Sequence, residues 1–196
     1  MNDFSIWFFE GVHHILDING YDHILFVTLL ALIYPLGEWK KLLTLVTAFT
    51  VGHSITLALS VVKNFTFQQE IIEFFIAFTI FSTAVYHLIY LKKEIKTASF
   101  YLYFIVLFFG LIHGLGFSFL LKAMLGKEQD VTFPLLYFNL GLELGQLIII
   151  TVVVGFSLFL TALSKKLNFY YKLSLVCLTS LIALKMCVER FSDLLS

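Results

Sequence analysis

The stretch Phe133–Leu163, with the sequence FPLLYFNLGLELGQLIIITVVVGFSLFLTAL, decides the fold class, because Glu143 is its only charged residue. A helix needs about 20 consecutive, mainly apolar residues to cross a hydrocarbon core of roughly 30 Å. This stretch exceeds that length, so it predicts a transmembrane helix that tilts strongly or protrudes from the bilayer. Similar apolar segments recur along the rest of the chain. We therefore expect an all-α polytopic membrane protein.

The composition supports this class over the whole length. Of the 196 residues, 60% are hydrophobic and 13% are charged, and the mean hydropathy is +0.94; soluble domains have about 25% charged residues. We expect a single integral membrane domain over residues 1–196. The net charge of zero and the lack of a basic cluster argue against a nucleic-acid partner. The N-terminus has no basic region of the kind found in signal peptides.

Breaks in the apolar pattern predict about six transmembrane helices. The first is short, from near Tyr21 to Pro35. The amphipathic stretch Phe4–Asp17 before it either completes it as a bent helix or lies separately at the membrane interface. The other five predicted spans are Leu42–Val62, Ile71–Leu91, Phe100–Leu121, Phe133–Leu163 and Tyr170–Val188. The cysteines of the last span, Cys177 and Cys187, are expected to pack in the bilayer rather than form a disulfide or bind a metal.

Cations are distributed unequally between the two sides of the predicted bundle. Eight lysines lie on the side of the loops after the first, third and fifth spans: Lys40, Lys41, Lys92, Lys93, Lys96, Lys165, Lys166 and Lys172. Five cations lie on the opposite side: Lys63, Lys122, Lys127, Lys185 and Arg190. The positive-inside rule then places both termini outside the cytoplasm.

Ionisable residues inside the spans are the main functional signal, because each costs a few kcal/mol unless it is paired or faces a wet cavity. With the orientation above, five of them fall in the outer half of the bilayer or near its middle: Asp22, His23, His53, His113 and Glu143. His87 lies near the opposite membrane surface and is expected at the interface.

Small residues suggest how two of these groups would meet. His113 lies between Gly110 and Gly114, and Glu143 between Gly141 and Gly145. Such pairs let helix backbones approach closely. We therefore expect the fourth and fifth spans to cross, with His113 close to Glu143.

Imidazoles and carboxylates without thiolates suit a borderline divalent ion such as Ni²⁺, Co²⁺ or Zn²⁺ rather than Cu⁺, Mg²⁺ or Ca²⁺. The candidate metal ligands are Asp22, His23, His53, His113, Glu143 and His14, and His13 is a further group at the outer mouth. Polar residues expected around them, where they would orient the imidazoles, are Thr50, Ser54, Asn139, Gln146 and Asp17.

Each of these residues also has a purely structural interpretation. A lone histidine such as His53 or His113 is often a hydrogen-bonding contact between helices, and Asp22 is a suitable N-cap. Thr50 and Ser54 belong to a polar stripe that is typical of helix contacts. The remaining structural alternatives are a solvated surface for His13, His14 and Asp17, and protonation or pairing with His113 for Glu143. Their convergence at one depth favours the functional interpretation.

These residues lie in four segments in a fixed order: HILDINGYDHILF from His14, FTVGHSITL from Phe49, HGLGF from His113 and FNLGLELGQ from Phe138. Together they resemble the HupE/UreJ family of bacterial membrane proteins over nearly the entire chain. The resemblance implies a nickel or cobalt permease of the bacterial inner membrane, linked to hydrogenase and urease systems. It aligns Asp22 and His23 with the Asp-His of the family's motif. That motif has five residues between its first histidine and Asp-His, whereas seven separate His14 from Asp22.

Three functions follow as hypotheses. A permease would capture a divalent ion at Asp22 and His23 and pass it to His53, His113 and Glu143. An intramembrane metal-dependent hydrolase would use the same ligands, an open position for water, and Glu143 or Asp22 as general base. An accessory protein that contacts a metalloenzyme-maturation protein is implied by the resemblance. The residues leave the identity of the metal and the oligomeric state open.

Overall fold

The structure, a computed structural model, describes residues 3–34, 38–63, 67–90, 100–125 and 131–195. Within these ranges all regular secondary structure is α-helical. The helices are α1 (Asp3–Leu16), α2 (Asp22–Ile33), α3 (Trp39–Val62), α4 (Gln69–Tyr90), α5 (Phe100–Leu125), α6 (Thr132–Leu163) and α7 (Lys165–Leu195). Helices α3 to α7 are long and apolar enough to cross a membrane. The predicted all-α membrane bundle is confirmed. Two predicted span ends, Pro35 and Leu91, lie outside the described residues. So do four of the loop lysines used to predict the orientation: Lys92, Lys93, Lys96 and Lys127.

The first predicted span differs from expectation. It is a pair of separate helices, α1 and α2, with 14 and 12 residues, about 21 and 18 Å long. Between them the Asp17 carboxylate accepts hydrogen bonds from the backbone and side-chain N–H groups of Asn19, at 2.9 and 3.3 Å. Such a local turn competes with helix continuation. The chain therefore forms two helices separated by a turn, and the single bent helix that was one of the two expectations from the sequence is not formed.

Helix α1 packs along α6 instead of lying alone at a membrane surface. The ring of Phe4 contacts Tyr137 near the start of α6, and Ile15 lies against Gly145 further along it. Residue numbers rise together in the two helices, so α1 runs parallel to α6. Because α2 continues in the same direction, the two short helices together make one crossing of the bundle.

Helices α1, α2, α4 and α6 run in one direction, and α3, α5 and α7 run in the other. Several contacts define this arrangement. Helices α6 and α7 form a hairpin in which Ser157 donates a hydrogen bond to Asn168 at 2.6 Å. The start of α4 lies beside the end of α7, where Glu73 pairs with Arg190.

Helix α2 occupies the centre of the bundle. It packs against α1, α3, α4, α6 and α7, and its Phe26 ring contacts Phe109 of α5, with ring centroids 5.8 Å apart. Phe26, Leu29 and Leu30 are at most 1% exposed. A helix surrounded in this way is apolar on all sides, which explains why this segment shows no amphipathic pattern.

The glycines bring helix backbones together as expected. The helix pairs that they join differ from the expected pair. A Cβ on Gly110 or Gly114 of α5 would overlap the backbone of Phe49 or His53 in α3, and one on Gly141 of α6 would overlap Phe8 in α1. The expected crossing of α5 and α6 is therefore wrong. The glycines instead bring α3 close to α5 and α1 close to α6.

The two ends of the bundle differ in charge. Helices α3 and α7 begin at the lysine-rich end, which carries Lys40, Lys41, Lys165, Lys166 and Lys172. The acidic end, where α4 begins and α7 finishes, carries Glu70, Glu73, Glu189 and Asp193. His87 lies in the last turn of α4 and is only 5% exposed, so it is buried in the protein rather than displayed at its surface.

Candidate metal centre

Four histidines from four helices meet inside the bundle. His14 ends α1, His23 begins α2, and His53 and His113 lie within α3 and α5. Ligand nitrogens of His14, His23 and His53 lie within 4.8 Å of one another. The ring centroids of His23 and His113 are 5.3 Å apart. We call these four residues the histidine cluster.

The glycine contacts explain how the rings reach one place. His53 follows Gly52, which lies against Leu107 in α5, and His113 precedes Gly114, which lies against His53 in α3. Close backbones leave little distance for the two side chains to cover. On the other side, Gly145 lets α1 approach α6 and so positions His14.

Hydrogen bonds set the orientation of two imidazoles. The Nδ1 of His113 lies 2.8 Å from the carbonyl oxygen of Phe109, to which only a protonated nitrogen can donate. The Nδ1 of His23 lies 3.1 Å from Oδ1 of Asp22, which also accepts the backbone N–H of His23 at 2.9 Å. With the proton on Nδ1, each Nε2 carries a lone pair. Carboxylate and carbonyl partners of this kind orient metal-binding histidines.

The cluster contains several buried nitrogens that have no hydrogen-bond partner among the residues that the structure describes. They are Nε2 of His14, His23 and His113, and both ring nitrogens of His53. His53 is 0% exposed and His113 is 1% exposed. An unsatisfied buried polar atom costs about 1–3 kcal/mol, and most such atoms in folded proteins have a partner. A divalent ion bound between the rings would satisfy several of these lone pairs at once.

Glu143 lies away from the histidine cluster. Its Oε1 accepts a hydrogen bond from Thr47 at 2.9 Å, and one turn further Thr50 donates to Oε1 of Gln146 at 2.8 Å. Helix α6 turns Glu143 and Gln146 towards α3, while α1 covers the glycines on the neighbouring face. These four side chains form a polar seam between α3 and α6.

In the described residues, the hydrogen bonds found for the other polar residues proposed from the sequence do not reach the imidazoles. Ser54 donates to the backbone oxygen of Thr50 at 2.6 Å. Asp17 accepts from Asn19 in the α1–α2 turn. Oδ1 of Asn139 is buried without a hydrogen-bond partner in the described part of the chain. The hydrogen bonds found for Ser54 and Asp17 therefore position backbone, not imidazoles.

Two contributors to the site were not predicted from the sequence. The carbonyl of Phe109 was not considered, although its position four residues before His113 on a helix is a signal for this contact. The aromatic support of His14 was also missed: its ring centroid is 3.9 Å from that of Phe117, which stacks on Phe138 at 5.1 Å. No local pattern links these two phenylalanines, since they lie on different helices.

A cavity of about 270 Å³ reaches three of the four imidazoles. His14, His23 and His113 line it together with Asp17 and Asp22. It lies towards the acidic end, because Glu73 and Arg190 also line it. Fully buried His53 lies behind the other rings. We call this space the histidine cavity.

The fold and the site define a class: a multi-pass helical membrane protein with a buried histidine cluster reached from one end of the bundle. Within that class, the chain belongs to the HupE / UreJ protein family, whose pattern matches residues 1–191. This family is linked to nickel and cobalt transport and to accessory roles for urease and hydrogenase. No curated protein and no solved structure matches the chain.

Proposed function

We propose that the protein is a permease for a divalent transition metal (nickel, cobalt or zinc) in the bacterial inner membrane, and that the histidine cluster binds the ion in transit. The observation that carries this proposal is the group of three histidines with ligand nitrogens within 4.8 Å of one another. Family membership supports the same substrate class. Neutral imidazoles without thiolates suit borderline ions of this type.

The direction of access follows from charge. Under the positive-inside rule the lysine-rich end faces the cytoplasm and both termini face outward. The acidic end then faces the source of the ion, and Asp17 and Asp22 in the histidine cavity attract it. Transport inward requires movement of α2, because Phe26, Leu29 and Leu30 follow His23 towards the lysine-rich end and are buried among the other helices.

The same apolar residues favour a second candidate, an intramembrane metal-dependent hydrolase. A cavity approached from one end and closed by apolar side chains beyond the metal is an arrangement that retains an ion and admits a substrate. Asp22 lines this cavity and would be the general base, whereas Glu143 is bonded to Thr47 in the polar seam. A role as an accessory protein for metalloenzyme maturation is a third candidate, which rests on the family link alone.

Metal binding is tested first. Protein purified in mild detergent without chelators is analysed by ICP-MS and then titrated with Co²⁺, whose visible absorption reports coordination by nitrogen. Wild type is expected to bind about one ion per chain, and His53→Ala to lose this binding. His87→Ala is the matched control, because His87 is also buried but lies outside the cluster. Equal binding by wild type and His53→Ala would show that the cluster is not the metal site.

Assays on the same proteins then distinguish the three candidate functions. A permease is expected to take Ni²⁺, Co²⁺ or Zn²⁺ into proteoliposomes, with uptake lost in His53→Ala and kept in His87→Ala. Tight stoichiometric binding without uptake supports the hydrolase. Co-purification of a second protein, with neither uptake nor turnover, supports the accessory role.

A further inference from the structure

Two cavities at the acidic end share a wall. The vestibule, a cavity of about 510 Å³, is lined by Asn19, Tyr21, Glu189 and Asp193, among others. The histidine cavity of about 270 Å³ lies beside it. Gly20, Asp22 and Arg190 line both. Of these three residues, Arg190 alone has a long, mobile side chain.

Arg190 is held at this boundary by an ion pair across two helices. Its guanidinium, in the last turns of α7, contacts the carboxylate of Glu73, one turn into α4. The Arg190 side chain is 44% exposed and that of Glu73 is 25% exposed. An ion pair that remains this accessible to water contributes little to stability. It is therefore weak enough to break when an ion arrives.

We propose that the Arg190–Glu73 ion pair is a gate between the vestibule and the histidine cavity, which a divalent cation opens by taking the place of the guanidinium beside the carboxylates. This inference rests on the proposed function, since it assigns a path for the same ion.

The charged residues that line the histidine cavity support this role. Asp17, Asp22 and Glu73 line the histidine cavity, and Arg190 is the cation among its lining residues. A guanidinium stays protonated at all physiological pH values, so Arg190 both neutralises the carboxylates and repels an approaching cation. The unpaired Nε2 atoms of His23 and His113, residues 4% and 1% exposed, line the same cavity. A cation attracted by the carboxylates therefore reaches a cavity that contains imidazole ligands.

Stopped-flow binding of Co²⁺ tests the gate, with release measured by a chelator chase. In Arg190→Gln both the association rate and the release rate are expected to rise, each by about threefold or more, because a gate limits passage in both directions. Lys185→Gln is the matched control: it removes a positive charge from the same helix and breaks an ion pair with Glu189, but lines neither cavity.

Two results would overturn the gate. Unchanged rates in Arg190→Gln would show that the guanidinium does not control passage. Faster association with slower release would show that Arg190 acts only by repelling the ion through space. If Arg190→Gln does not fold, Glu73→Gln breaks the same pair from α4, and faster release is again expected. Release at the wild-type rate in folded Glu73→Gln contradicts the proposal.

A second readout does not depend on metal binding. Ile76 lines the histidine cavity and is 7% exposed. In an Ile76→Cys protein whose native Cys177 and Cys187 are replaced by Ala, a neutral methanethiosulfonate reagent, which the charge of Arg190 does not repel, is expected to react faster when Arg190→Gln is added, and at an unchanged rate with Lys185→Gln. Equal rates in all three proteins would rule out the gate. If this labelling result holds but no protein binds metal, the gate stands and the proposed function fails.

Discussion

Asp22 affects the histidine cluster through its neighbour. Its Oδ1 accepts both the backbone N–H and the Nδ1–H of His23, so the carboxylate directs the lone pair of Nε2 into the cavity and makes the ring a stronger ligand. From the sequence we expected Asp22 to bind the ion directly or to cap α2. The geometry adds this orienting role.

Replacing Asp22 with Asn retains an acceptor of the same shape but removes its charge. We expect Asp22→Asn to bind Co²⁺ about 10–100-fold more weakly than wild type. Asp17→Asn removes a carboxylate from the same cavity without touching an imidazole, and should change the affinity by less than about threefold. Isothermal titration calorimetry measures both affinities. A larger loss in Asp17→Asn than in Asp22→Asn would contradict the assignment.

His14, His23, His53 and His113 were all selected from the sequence, because ionisable side chains inside spans are costly and these were expected to converge at one depth. Glu143 was grouped with them for the same reason, although it bonds to Thr47. Helical spacing determines which residues share a face of α6. It does not determine which helix that face meets, so the position of Glu143 required the structure.

At the scale of the elements, two tight helix pairs determine the geometry of the cluster. Gly52, Gly110 and Gly114 join α3 to α5, which carry His53 and His113, and Gly11 and Gly141 join α1 to α6. The small residues were correctly expected to mark close backbone contact. The helices that they contact were not predicted correctly, because a small residue is compatible with any neighbouring helix.

A methyl group at Gly141 tests the second pair. A Cβ there would overlap the carbonyl oxygen of Phe8, which is backbone and cannot rotate away. We expect Gly141→Ala to lower the free energy of unfolding by about 1–3 kcal/mol and to weaken Co²⁺ binding, because α1 carries His14.

The matched control is Gly155→Ala on the same helix, where an added Cβ meets nothing within 4 Å. It should leave binding unchanged and should not lower stability, because alanine is favoured over glycine inside a helix. Thermal unfolding in detergent and Co²⁺ titration provide the two readouts. Normal binding by a destabilised Gly141→Ala protein would show that His14 contributes little to the site.

The long helices were predictable from apolar length alone, and α6 (Thr132–Leu163) begins one residue before the prediction. The first span was harder. Its length of 12 residues in α2 is too short to cross a bilayer, and only the pairing of Phe4 with Tyr137 and of Ile15 with Gly145 shows how α1 completes the crossing. Contacts between distant parts of a chain leave no local pattern.

At the scale of the whole molecule, alternating helix directions separate the lysine-rich end from the acidic end. This separation has one clear consequence in a cell. A reporter joined after Leu195 should lie outside the cytoplasm, and a reporter joined after Ser164, between α6 and α7, should lie inside it.

Alkaline phosphatase and green fluorescent protein fusions measure this directly, because the first is active only after export and the second fluoresces only in the cytoplasm. We expect phosphatase activity at Leu195 and fluorescence at Ser164. The opposite pattern would show that the bundle has the opposite orientation in the membrane. The histidine cavity would then face the cytoplasm, as in an exporter.

The central position of α2 also has a consequence for biosynthesis. Helices α1 and α2 leave the ribosome before α4 and α6, yet the surfaces that cover them belong mainly to those later helices. A segment of 12 residues has no stable place of its own in a bilayer. The nascent chain is therefore expected to hold α1 and α2 in a provisional position until α6 has been inserted, so that His14 joins the other histidines only then.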